Sequence, residues 1–295
     1  MRKTYEPKHP QWETRFGTNS LKLSSTEFLI LRDLIHECTG SFYSESKQDL
    51  LEDKLSSLVI ERGFSSFLDY YYLLKYDSTD ADQEWKRVME VLRVPETFFW
   101  REFDQVKVLV DVLVPQYFAA SPTEPLRIWS AACSSGEEPL SIVMALNEAG
   151  WFERGVPIEI FASDISPGAI RKAQQGTYRN YSMRNFPETI RDKYFTFNQE
   201  MWHIAPHILK RIKWKTANLT TRAEIAHLAW SHVIFCRNVF IYFSADKVRQ
   251  TVRTFYDFMP SPAYLFVGAS ESLLKLTTDF ELQEIGGTFI YVKQS

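Results

Sequence analysis

Cysteine is scarce in this sequence, and the three present, Cys38, Cys133 and Cys236, stand far apart, odd in number and in no CxxC pair. A disulfide framework is therefore not expected. No apolar run approaches the length that crosses a bilayer, and residues 1–20 are charged and polar, without the apolar stretch of an export signal. These absences predict a cytoplasmic protein with reduced thiols and no membrane insertion. A strong excess of either charge is missing too: the net charge is −3, so nothing global points to nucleic acid or to an anionic membrane. There is no internal repeat and no low-complexity tract. The glycine-rich GxGxxG fingerprint is also absent, which disfavours a nucleotide-dependent oxidoreductase. What the chain does have is apolar content, 45% of 295 residues, enough to fill one large domain or two modest ones.

Apolar spacing divides that content in two. Ser24 and Glu27 have the spacing of a capping box ahead of Phe28, Leu31, Leu34 and Ile35, with Gly40 as a stop. Further helices are predicted over 47–62, with Leu51, Leu55, Leu58 and Val59 on one face, over 67–74, and from Asp80 through Trp85, Val88, Met89 and Leu92. The Tyr70-Tyr71-Tyr72 run reads as helix packing, and the acids from Asp77 to Glu84 as a solvated linker. Residues 20–92 thus form a small all-helical unit. Up to residue 92 the chain carries 12 Lys/Arg against 16 Asp/Glu, so this part is net acidic.

Beyond Pro95 the pattern alternates. A helix over 103–118 precedes strands predicted at 126–131, 158–162, 212–215, 232–236 and 264–267, with helices at 138–147, 167–174 and 246–258 between them. Runs at 280–285 and 288–292 flank Gly286-Gly287 and read as a hairpin. Strands alternating with helices imply an α/β doubly wound parallel sheet, here closed by an antiparallel hairpin.

Three segments carry the chemistry. The first, Ile128 to Pro139, runs from a strand through small residues and one glycine into an acidic helix start. Small residues let a ligand approach the backbone at the carboxyl edge of a sheet. Glu137 and Glu138 would repel a diphosphate but suit a ribose hydroxyl or a cationic ligand. The second is Asp164, an acid ending the next strand, where a carboxylate offers two acceptors to a vicinal diol. Each segment also has an ordinary structural reading, as a tight turn or a helix cap. The third puts Arg237 and Asn238 just past a buried strand. His203 and His207 lie four apart, but Pro206 interrupts a helix and no acid completes a set, so no metal is expected. Cys133 and Cys236 flank the proposed pocket as small packing residues rather than nucleophiles.

Pro95-Glu-Thr-Phe-Phe-Trp-Arg101, Trp129 to Glu138, Ala162-Ser-Asp-Ile165, Phe235 to Phe243 and Gly268-Ala-Ser-Glu-Ser272 occur in that order. This ordered set, from about residue 24 to the end, resembles the CheR family of chemotaxis receptor glutamate methyltransferases. The resemblance implies a helical domain over 20–92 and, over 93–295, a class I methyltransferase-like domain that binds S-adenosyl-L-methionine, with a small β-subdomain near 194–212. It places Thr97, Arg101 and Glu137 by the methionine end of the cofactor, Asp164 on the ribose and Asn218-Leu219 near the adenine. Arg237 and Asn238 would line the pocket, Tyr242 would lie near the reacting centre, and Arg237 and Tyr242 are the catalytic candidates. The implied partner is the cytoplasmic helices of methyl-accepting chemotaxis receptors.

The chain departs from the family at several points. Pro95 stands where Asn is common, which leaves one polar cofactor contact open. Trp100 replaces Phe, and Lys54 stands where Arg is common. The stretch between Phe195 and Asn218 is a few residues short, as in members that need no grip on a receptor's C-terminal tail peptide. Two other readings stay open: the same chemistry on a protein of a non-chemotactic sensory pathway, and a degenerate cofactor-binding regulator.

Overall fold

A computed structural model describes residues 21–94 and 96–294; Pro95 lies outside the described residues. The capping box forms as its spacing predicts: Ser24 Oγ accepts from Glu27 N–H, and the Glu27 carboxylate takes the Ser24 N–H. It opens α1 (Ser25–Thr39), and Gly40 ends that helix in the left-handed conformation. α2 (Gln48–Glu61), α3 (Phe67–Tyr76) and α4 (Ala81–Leu92) complete a bundle whose shared core includes Phe28, Leu31, Ile35, Leu51, Leu55, Phe67 and Val88. The acidic stretch from Asp77 to Glu84 runs into α4 and is not all solvated. Glu84 is 0% exposed on the inner face of that helix, where Tyr70 Oη donates to it at 2.7 Å and Arg62 Nε at 2.7 Å. A carboxylate can be buried there because both oxygens are partnered. Tyr70 is core for the same reason, whereas Tyr72 is exposed.

The second half begins with α5 (Phe103–Val108), which passes through a π-helical turn, Leu109–Leu113, into α6 (Val114–Ala119). β1 (Leu126–Ala131), α7 (Glu137–Glu148), β2 (Ile158–Asp164) and α8 (Pro167–Gln175) follow. A small excursion comes next: β3 (Thr177–Tyr178), α9 (Glu188–Tyr194), β4 (Phe195–Asn198), β5 (Met201–Ile204) and α10 (Pro206–Leu209). The chain returns through β6 (Ile212–Thr216), α11 (Arg222–Ala229), β7 (Val233–Cys236), α12 (Ala245–Phe258) and β8 (Ala263–Phe266). It closes with the hairpin β9 (Glu281–Ile285) and β10 (Thr288–Lys293).

Among the described residues the main sheet has seven strands in the order β6-β2-β1-β7-β8-β10-β9. β6, β2, β1, β7 and β8 run parallel, and β10 is antiparallel to both neighbours. β7 is apolar throughout and β1 mostly so, and both are almost wholly buried because helices cover both faces. Chain order reverses between β1 and β7, so the crevice beyond their carboxyl ends is where such a sheet takes a ligand. The excursion forms a separate three-stranded sheet, β3-β5-β4. Its strand Thr177–Tyr178 lies well before the 194–212 stretch expected to be β-rich. No helix of the described residues is long and apolar enough to cross a membrane.

Candidate active site

A cavity of about 350 Å³ lies beyond the carboxyl ends of β1, β2 and β7 and is roofed by the helical bundle. Thr97, Arg101, Asp164, Asn218, Leu219, Arg237, Asn238 and Tyr242 all line it. They arrive from four separate stretches of chain and meet because the strand ends carry most of them and the segment after α4 crosses in front.

The loop after β1 is shaped for close packing. Ala132, Ser134 and Gly136 have positive φ, at 57°, 50° and 94°. A Cβ on Gly136 would lie 2.9 Å from both Ala173 Cβ and Trp214 Cη2. The single glycine is thus required by its backbone and by the protein wall behind it, not by a ligand. Ala132, Cys133 and Ser134 form the cavity side. Asp164, 7% exposed, crosses to this loop: Ser134 N–H donates to its Oδ2 and Ser166 N–H to its Oδ1, both at 2.9 Å. Burial pushes its carboxyl pKa up, and the two N–H groups oppose that. A carboxylate has about four lone-pair sites, so it keeps acceptor capacity for a diol.

The two glutamates that open α7 diverge, and this corrects the placement of Glu137. Glu137 is 1% exposed and points into the protein, where it accepts from Ser135 Oγ at 2.8 Å and Ser182 Oγ at 2.9 Å. Glu138 lines the cavity instead, accepting from Ser130 Oγ at 2.6 Å, with Arg237 Nε 3.4 Å away. Burial raises both pKa values; Arg237 chiefly opposes the rise at Glu138.

Arg237 is flanked by opposite charge but incompletely hydrogen-bonded. Its side chain is 2% exposed between Glu138 and Glu102, and Nη2 donates to the Arg101 carbonyl at 2.6 Å. Nε and Nη1 are buried without hydrogen-bond partners. Buried guanidinium nitrogens are rarely left so, and a ligand carboxylate is the complement that would satisfy them. Arg93 Nε, on another wall, is also unpartnered. The residues present therefore fit a ligand with an acidic group at one end and vicinal hydroxyls near Asp164.

Asn218 is more structural than expected. Its Nδ2 donates to Cys38 O at 2.7 Å and its Oδ1 accepts twice from Thr220, so the amide ties the bundle to the sheet. Leu219 beside it supplies an apolar surface. Lys54 also faces inward: Nζ donates to Val91 O at 2.7 Å, at the end of α4, rather than standing free for a partner. Cys133 and Cys236 are buried, and burial raises both thiol pKa values, so neither is a thiolate.

Two acids escaped the sequence reading. Glu271, inside the Gly268-Ala-Ser-Glu-Ser272 segment, accepts N–H groups from Asn238, Gly268 and Ile241 and so holds the loop after β7. Glu102, at φ 48°, contacts Asn238 and Ala269 from the crossing segment.

Comparison with known proteins gives a consistent picture. Residues 95–288 match the family model described as "CheR methyltransferase, SAM binding domain", and residues 26–92 match "CheR methyltransferase, all-alpha domain". The chain is 34% identical over 276 residues to "Chemotaxis protein methyltransferase 2" of Vibrio cholerae serotype O1, covering 93% of this chain and 95% of that protein. It is 31% identical to "Chemotaxis protein methyltransferase" of Escherichia coli over 90% of this chain and 91% of that one. The corresponding figures for "Chemotaxis protein methyltransferase 1" of Pseudomonas aeruginosa are 29%, 92% and 99%.

Proposed function

Because the chain belongs to the CheR methyltransferase family and is an S-adenosylmethionine-dependent methyltransferase, we propose that it forms methyl esters on glutamate side chains of methyl-accepting chemotaxis receptors. The observation that carries this reading is the cavity itself, with buried, unpartnered Arg237 nitrogens at one end and Asp164 at another. In the proposal the domains divide near residue 93, as the two matched ranges support.

S-adenosylmethionine supplies an already activated methyl group. A glutamate carboxylate is ionised near neutral pH, so no general base is needed. With the donor bound, Asp164 would accept from the ribose hydroxyls and Arg237 would hold the methionine carboxylate from its buried position. Glu138, and not Glu137, lies beside Arg237 to receive the methionine ammonium. Thr97 and Arg101 close the site from the crossing segment, and Leu219 and Asn238 complete the walls. Tyr242 stays protonated, because burial raises its pKa, and can donate to the incoming carboxylate. Rate enhancement comes from alignment and exclusion of water under the bundle roof. Losing one negative charge per glutamate is a sufficient switch for packed receptor helices.

The receptor is engaged at the mouth of this cavity, without a stable grip on a tail peptide. The test is transfer of labelled methyl from S-adenosylmethionine to receptor-containing membranes, followed by mild alkali. Label released as methanol is the expected result. No transfer, or label that resists alkali, would overturn the ester assignment.

A further inference from the structure

The last turn of α4 grips the two loops that hold Asp164. Those loops donate the Ser134 and Ser166 N–H groups to the Asp164 carboxylate. The hydroxyls of the same two serines face α4. Ser166 Oγ donates to the Glu90 carboxylate, and Arg93 Nη1 lies 3.4 Å from Ser134 Oγ. Glu90 and Arg93 sit three residues apart and 3.5 Å from each other, and Lys54 Nζ steadies the helix end through Val91 O and Arg93 O. Gly168, in the first turn of α8, makes room for this contact: a Cβ there would lie 2.8 Å from Glu90 Cδ. Glycine in a helix is less stable than alanine, and here the missing methyl leaves space for a carboxylate from the bundle. Glu90 does not line the cavity, so it can act only through its neighbours.

We propose that Glu90 and Arg93 are positioning residues for the ribose of the methyl donor, clamping Ser166 and Ser134 and thereby fixing the Asp164 carboxylate. The helical unit is then part of the cofactor grip as well as a roof over it. The proposal rests on the reading of Asp164 as the ribose acceptor. A carboxylate that must meet two hydroxyls at once is sensitive to displacements of about 0.5 Å, which is the freedom the clamp removes.

The experiment is calorimetry on the full chain with S-adenosylhomocysteine and with its 2′-deoxy analogue, using Gly168→Ala, Glu90→Ala, the double variant and Asp164→Asn. Gly168→Ala displaces only the flexible end of Glu90 and adds a better helix former, so melting should hold or rise. Its affinity for S-adenosylhomocysteine should fall by roughly three- to ten-fold, the span of one hydrogen bond. For the analogue, which lacks one of the hydroxyls, the loss should be under about two-fold. Glu90→Ala should behave alike, and the double variant should be no worse, since no carboxylate remains to be displaced. Unchanged affinity in Gly168→Ala and Glu90→Ala while Asp164→Asn binds weakly would overturn the clamp alone. Equal losses for both ligands would show mere interdomain adhesion and overturn it too. Normal binding by Asp164→Asn would overturn the ribose reading and the clamp with it.

Discussion

Asp164 takes two backbone N–H groups before any ligand does, so Asp164→Ala would strand buried donors and confuse folding with binding. Asp164→Asn keeps the shape, drops the charge and retains one acceptor oxygen, so only one of the two N–H groups loses its partner, and melting is followed beside binding. It should weaken S-adenosylhomocysteine binding by about 1.5–3 kcal/mol, the value of a hydrogen bond to a charged group, as read by calorimetry. His232 makes a different prediction. Its ring pKa is pushed down to about 4 by burial and then by the Arg127 charge, while an unfolded histidine titrates near 6.5. Between those values the unfolded chain binds more protons, so stability is full above about pH 6.5 and is lost as pH falls toward about 4. His232→Gln should flatten that slope in chemical denaturation measured across the window. Side chains were legible in the sequence where a residue ends a strand or directly follows one, as Asp164 and Arg237 do. The choice between Glu137 and Glu138 was not, because adjacent helical residues point about 100° apart and only the docked helix decides which faces the cavity. Glu102 and Glu271 were missed because their partners are distant in sequence.

Elements were legible where local chemistry and tertiary packing agree. The Ser24 box opens α1 as its spacing predicts, and the Gly286-Gly287 turn, with both residues at positive φ, joins β9 and β10. The hairpin between β4 and β5 was hidden because Gln199 and Glu200 hold positive φ, at 49° and 59°, without being glycine. That conformation costs an L-residue about 1–2 kcal/mol. Glu200→Gly should therefore stabilise the protein by up to about 1 kcal/mol in equilibrium unfolding, the gain reduced by the entropy of glycine. α11 was missed although its start carries a local signal. Thr221 and Glu224 have capping-box spacing, but Thr221 makes no side-chain cap and the Glu224 carboxylate instead takes the Asn218 N–H.

The whole molecule depends on the seam between bundle and sheet. Asn218 to Cys38, Phe42 N–H to Tyr242 O, His36 to Ser244 and Glu90 to Ser166 all cross it. Sequence periodicity defines each half but not which faces meet, since that depends on shape complementarity between surfaces. Within the bundle, Lys54 Nζ is taken up by Val91 O and Arg93 O, which leaves fewer free cations for an acidic partner. The stretch between Phe195 and Asn218 is short, so receptors with and without their C-terminal tails should be methylated at similar rates in initial-rate assays. A strong loss on removing the tail would mean that the β3-β5-β4 sheet tethers it. Glutamate esterification can be read by mass spectrometry of a receptor cytoplasmic fragment after incubation with the protein and S-adenosylmethionine. Single methyl additions should lie on glutamate side chains, be removed by mild alkali and be nearly absent with Asp164→Asn at low donor concentration; methylation confined to other side chains, or unchanged by Asp164→Asn under those conditions, would contradict glutamate esterification at this site.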